Sequence, residues 1–101
     1  MIVREWRGRA AADNPEAYPR HFNGSVLPEL KTIQGFLGAT LMQRPDGGRI
    51  EFVVLTRWQS MAAIQAFAGD NPDRAVVEPA AVTALVEYDK TVRHYEVVTS
   101  V

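Results

Sequence analysis

The sequence predicts an α+β domain of βαββαβ order, and three observations carry that prediction. Strand-like and helix-like periodicities follow one another along 101 residues in the order strand, helix, strand, strand, helix, strand. The turn Pro45-Asp46-Gly47-Gly48 joins the two middle strands as a hairpin, its glycines supplying positive φ. Two right-handed crossovers then set both helices on one face of a four-stranded antiparallel sheet, the ferredoxin-like arrangement.

Ile2 to Gly8 reads as the first strand, with Ile2, Arg4 and Trp6 on one face and Val3, Glu5 and Arg7 on the other. Asp13 is expected to N-cap the next helix, with Glu16 three residues on and Pro15 in the first turn. That helix carries an apolar stripe of Tyr18, Phe22, Val26, Leu30 and Ile33. Pro28 removes one backbone hydrogen bond and presses on the carbonyl of Gly24, so a kink is expected there, and Gly35 stops the helix.

Phe36 to Arg44 and Arg49 to Trp58 form the hairpin strands, with apolar residues on both faces of each. A sheet wet on one side would alternate cleanly, so this one is expected to be covered twice, by helices and by a second copy of the chain. Ser60 N-caps a second helix of Met61, Ile64, Phe67 and Ala68, closed by Gly69. Asn71-Pro72 opens a short helical turn that Pro79 is expected to end; Ala80 to Asp89 fits helix and strand equally; Thr91 to Val98 is the last strand.

The length points to one domain spanning residues 1–101, because two cores would each be too small. With no cysteine, disulfides, thiolate metal sites and a cysteine nucleophile are excluded, which suits a cytoplasmic location. Eleven basic residues against twelve acidic ones leave no electrostatic footprint for nucleic acid or anionic lipid. The alternating N-terminus is neither a signal peptide nor a membrane span. An RNA-recognition domain shares the element order. Its third strand, however, should expose stacked aromatics, and Arg49-Ile50-Glu51-Phe52-Val53 offers one aromatic and a carboxylate.

The stretch Thr56-Arg57-Trp58-Gln59-Ser60 through Phe67-Ala68-Gly69, then Arg74-Ala75-Val76-Val77 and Val92-Arg93-His94-Tyr95-Glu96-Val97, resembles the antibiotic biosynthesis monooxygenase domain family. Tyr18, His21, Pro28-Glu29-Leu30 and Ile33-Gln34-Gly35-Phe36 extend the likeness over essentially the whole chain. The resemblance implies a homodimeric α+β barrel with a small apolar or aromatic ligand held between sheet and helices. It also implies a cofactor-independent oxygenase that deprotonates a phenolic or enolic, polyketide-like substrate and lets the anion reduce O₂. The family's haem-degrading branch is argued against at the matching positions. Phe67 stands where that branch has tryptophan, Val77 where it has the iron-ligating histidine, and Trp6 where it has asparagine.

The candidates for such a base in this sequence are His94 and His21, with Trp6, Phe67 and Tyr88 as pocket walls; the resemblance does not itself assign these roles. Each has a plainer reading: His94 as a hydrogen-bonded strand residue, His21 as a helix flank, Trp6 as a hydrophobic anchor. No nucleophile triad, metal-spaced cluster or phosphate loop stands out. A second functional reading is a non-catalytic dimeric ligand-binding or stress-related module, since fold alone does not deliver activity.

Overall fold

The computed structural model describes residues 1–101, and no helix in it is long and apolar enough to cross a membrane. β1 (Ile2–Ala11) is the spine of the sheet. On one edge it pairs antiparallel with β3 (Arg49–Trp58), which pairs with β2 (Phe36–Asp46). On its other edge it carries two short strands, β4 (Glu87–Tyr88) and β5 (Arg93–Glu96), so the order is β2-β3-β1-β4 with β5 beside β4 on β1. This is the antiparallel, ferredoxin-like α+β sheet that the sequence order requires.

The first helix departs from expectation in an informative way. It runs as α1 (Ala17–His21), a π-helical turn (Phe22–Val26) and α2 (Leu27–Leu30) without a break. Residues spaced by four drift ~40° per step in a pure α-helix. A wider turn in the middle cancels part of that drift, and Tyr18, Phe22 and Leu30 all end up buried. The same turn absorbs Pro28: Leu27 N–H donates to Phe22 O, five residues back. The expected kink is therefore a π turn. Asp13 does not cap this helix. β1 continues to Ala11, Asp13 falls in the following turn, and the N-cap position is Glu16, with no side-chain cap bond.

α3 (Met61–Ala68) is capped as its sequence requires, Ser60 Oγ accepting from Ala63 N–H and Gly69 closing it at φ 86°. Pro79 opens a helix where the sequence reading had it end one: it starts α4 (Pro79–Ala84), because proline fits a first helical turn where no N–H is needed. The ambiguous segment from Ala80 onward thus divides into α4 and β4. The last strand is shorter than expected and interrupted. At the gap, Asp89 O accepts from the Trp6 indole, and Arg74 bridges to Thr91.

A bulge between Phe36 and Gly38 turns Leu37 outward, so Phe36, Ala39 and Leu41 share the helix-covered face. That face holds two clusters. One is built on Tyr18, Phe22, Phe52 and Val54, the other on Leu30, Trp58 and Ile64. Gly35, at φ 91°, lets the loop approach α3 where a Cβ would lie 2.6 Å from that of Ala63.

The opposite face, expected to be apolar enough for a second copy of the chain to cover, is mixed. Val3, Met42, Val53 and Leu55 lie on it, interleaved with Glu5, Arg7, Arg9, Arg44 and Glu51. Glu51 is only 5% exposed because Arg44 Nε donates to it at 2.9 Å, with Arg7 at 3.3 Å and Arg9 at 3.5 Å. The Arg44 hydrogen bond, then the charges of the three arginines, hold its carboxyl below the usual value of 4.5. A depressed carboxylate stabilises the fold fully above its unfolded pKa, and that stability is lost as pH falls through the lower folded value. Glu51→Gln is therefore expected to be less stable than wild type at pH 7, and the gap should begin to narrow below about pH 4.5 and close only as pH falls past the lower folded value. Thermal melts at pH 7 and in descending steps below pH 4.5 check this.

Candidate functional site

Between the helix-covered face and α1–α2 lies a cavity of about 190 Å³. Its floor is two cross-strand pairs, Arg4 with Thr56 and Trp6 with Val54. Its roof is one face of the first helix, where the π turn presents Phe22 and Val26, with Tyr18, His21 and Leu30 to either side. Phe67 of α3 and Val77 of the following loop close the sides. Eleven of the sixteen lining residues are hydrophobic, so a bound ring would be held by apolar contact and oriented by few polar groups.

The walls are fixed by packing. Tyr18 lies 5.6 Å from Trp6 and 5.3 Å from Phe52, ring centroid to ring centroid. Trp6 is held by its indole N–H on Asp89 O at 2.8 Å, and its six-membered ring lies over Gly8, where any Cβ would come within 2.8 Å. Phe67 stacks on the fully buried Trp58 at 5.6 Å.

Besides Thr56, Glu29 and Glu78, three polar side chains line the cavity. The first is His21, whose side chain is 8% exposed and whose Nε2 has no hydrogen-bond partner; Glu78 Oε1 is the nearest carboxylate oxygen to it, 3.9 Å away. His21 also borders a shallow surface groove with Arg20, Ser25 and Thr83, so the ring stands between the cavity and solvent. The second is Tyr18, whose phenol burial drives far above its ordinary pKa, with the charge of Glu78 adding to the effect, so it stays neutral.

The third is Arg4, 5% exposed, whose Nη1 donates to Pro72 O and lies 3.0 Å from His94 Nε2, while Nη2 donates to Arg74 O at 2.9 Å. Its guanidinium carbon sits 5.7 Å from the centre of the Phe67 ring. Burial lowers its pKa to about 10, with the charge of Asp73 offsetting part of the shift, and it remains cationic at neutral pH.

Of the residues singled out from sequence, Trp6, Phe67 and His21 line the cavity, and His94 and Tyr88 do not. His94 lies behind Arg4. Its Nδ1 is 3.4 Å from Asp73, and burial followed by the Arg4 charge lowers its pKa. A neutral ring with its proton on Nδ1 can accept from Arg4, so this histidine orients the arginine. Tyr88 pairs with Gly8 and packs against the core cluster on the far side. Arg4, Thr56 and Glu78 were missed. For Arg4 the signal was available, since it alternates with Ile2 and Trp6 on the core-facing side of β1. Nowhere do three or more His, Asp or Glu side chains gather as they would around a metal ion.

The sequence model of one family, antibiotic biosynthesis monooxygenase, matches residues 1–78. Among solved structures, a proposed antibiotic biosynthesis monooxygenase from Bacillus cereus is similar at TM-score 0.69 and 18% identity, covering 98% of this chain and 94% of that one. The haem degrader MhuD of Mycobacterium tuberculosis, solved with two haems bound in its active site, is similar at TM-score 0.63 and 24% identity, covering 100% and 99%. A proposed antibiotic biosynthesis monooxygenase from Deinococcus radiodurans gives TM-score 0.64 at 14% identity, covering 100% and 96%. At these identities the structural likeness speaks to the fold. No curated protein matches the sequence.

Proposed function

The chain belongs to the antibiotic biosynthesis monooxygenase family, and from that premise we propose that it is a cofactor-independent monooxygenase of a small aromatic, phenolic or enolic substrate. The observation that carries the proposal is an unpartnered imidazole nitrogen at the wall of a largely apolar, partly open cavity. A buried polar atom without a partner costs stability, and His21 Nε2 stands where a substrate hydroxyl would satisfy it.

In this reading His21 takes the hydroxyl proton, and the imidazolium that forms is stabilised by Glu78 at 3.9 Å. The electron-rich anion then passes an electron to O₂ within a largely apolar cavity. Trp6, Tyr18 and Phe67 hold the ring. The surface groove beside His21 gives the proton a way out. His94 acts only through Arg4.

The lining does not reproduce the ligand of the haem-degrading branch: Val77 borders the cavity, by the sequence resemblance it stands where that branch carries its iron-ligating histidine, and a valine has no donor atom.

The single domain is proposed to work as a homodimer through the open sheet face. There Val3, Val53, Leu55, Met42 and Tyr95 offer apolar contact, and Arg and Glu side chains offer self-complementary charge. Sedimentation at micromolar concentration is expected to give twice the chain mass, and a monomer would remove this part. The oxygenase reading is tested by oxygen-electrode assays over hydroquinones and anthrones. Protein-dependent uptake with at least one is expected, and its absence with all would favour a non-catalytic binding module.

A further inference from the structure

We propose that the cavity holds its ligand as an anion, with the oxygen of an acidic phenol or enol, once its proton has gone to His21, seated on the Arg4 guanidinium. This rests on the cavity being the substrate site, and it names the class of substrate: one acidic enough to be held deprotonated.

The accounting of Arg4's donors leads there. Its partners are two backbone carbonyls and a histidine nitrogen, all neutral. They use both Nη1 protons and one Nη2 proton, leaving the Nε proton and the second Nη2 proton without a protein acceptor. Arg4 forms no ion pair, because Asp73, the acid closest to this network, is engaged at His94 Nδ1 and is 75% exposed. A charge this buried is ordinarily paired with an opposite one. Here the ligand is the partner the site lacks.

The other charges around the cavity do not cancel Arg4. Glu29 of α2 is exposed, and the Glu78 side chain is 41% exposed and directed to His21, so water screens both. Arg4 and Thr56, both buried, line the cavity and face one another across β1 and β3, and Arg4 is the only buried cationic guanidinium among the lining residues. Phe67, against the guanidinium, gives the ligand ring an apolar neighbour beside that cation. The two polar regions then divide the work. His21 receives the proton, and Arg4 stabilises the oxyanion left behind.

The test uses 4-nitrophenol, whose anion is yellow and whose acid is nearly colourless, titrated with pH in the presence of excess wild-type protein. A buried cation lowers the pKa of a neighbouring acid by about one to three units, whereas an apolar cavity alone raises it. The expected result is a bound-state pKa at least about one unit below the free value, a tenfold or greater preference for the anion. Arg4→Met should abolish or reverse the shift, and Val77→Phe, which fills the cavity without touching Arg4, should abolish binding. A raised pKa in wild type, an equal lowering in Arg4→Met, or no binding would each overturn the proposal. If Arg4→Met does not fold, the wild-type shift together with its loss in Val77→Phe decides. A lowered pKa without oxygen uptake on any phenol would keep the anion seat and remove the oxygenase. Uptake without the lowered pKa would do the reverse.

Discussion

Replacing His21 by alanine is expected to reduce kcat/KM for oxygen uptake by roughly 10²- to 10⁴-fold on whichever phenol or anthrone serves as substrate, the usual contribution of a positioned general base. The fold should survive, because Nε2 makes no hydrogen bond and its one carboxylate neighbour stands 3.9 Å away. His94→Ala provides the contrast. It removes an acceptor from Arg4 without touching the cavity, so its effect should fall mainly on KM and be smaller. A loss in kcat for His94→Ala as large as that for His21→Ala would contradict the purely positioning role given to His94. Activity of His21→Ala within twofold of wild type would rule out the assigned role.

The second large effect concerns stability. Trp58 is fully buried, packed edge-on against Phe36 at 5.3 Å and stacked on Phe67, and its indole N–H donates to Thr56 Oγ1 at 2.8 Å. Trp58→Ala removes all of this at once and should destabilise by about 3–5 kcal/mol. Against a typical total of roughly 5–15 kcal/mol, that leaves the domain marginal and lowers the melting temperature by tens of degrees. Trp58→Phe keeps most of the volume and should cost far less. Because Phe67 lines the cavity and leans on Trp58, ligand affinity should fall together with stability. Chemical denaturation checks the first claim, and a loss below about 1 kcal/mol would contradict it.

These two residues also show what could be read before the fold was known. Trp58 and Ser60 announce the strand-to-helix junction through local chemistry, an aromatic ending a β-rich run and a hydroxyl capping the next turn. Local chemistry also marks the hairpin at Gly47, which adopts φ 61°. Where local rules admit two outcomes, the sequence was silent. Pro79 can end a turn or begin a helix, and only the packing of Ala81 and Ala84 in the core decides for the helix. The spacing of Tyr18, Phe22, Val26 and Leu30 looked α-helical, yet holding three such steps on one face calls for a π turn.

The candidate site was legible in its walls and less so in its chemistry. Trp6 and Phe67 are large aromatics on periodic faces, so their inward direction follows from the pattern. The two histidines look alike in sequence, and what separates them is long-range. His94 meets Asp73 and Arg4, while His21 meets the cavity. Arg4 was placed on the correct face of β1 but passed over. Its burial depends on the carbonyls of Pro72 and Arg74, which arrive from a loop far along the chain.

The central claim is that this cavity performs a monooxygenase reaction, and the most direct measurement is isotopic. The protein would be incubated with an anthrone under isotopically labelled dioxygen, and the product weighed by mass spectrometry. The account predicts protein-dependent formation of the quinone with one labelled oxygen per molecule, the other oxygen leaving as water. An unlabelled product, or labelling no faster than in the protein-free control, would contradict it.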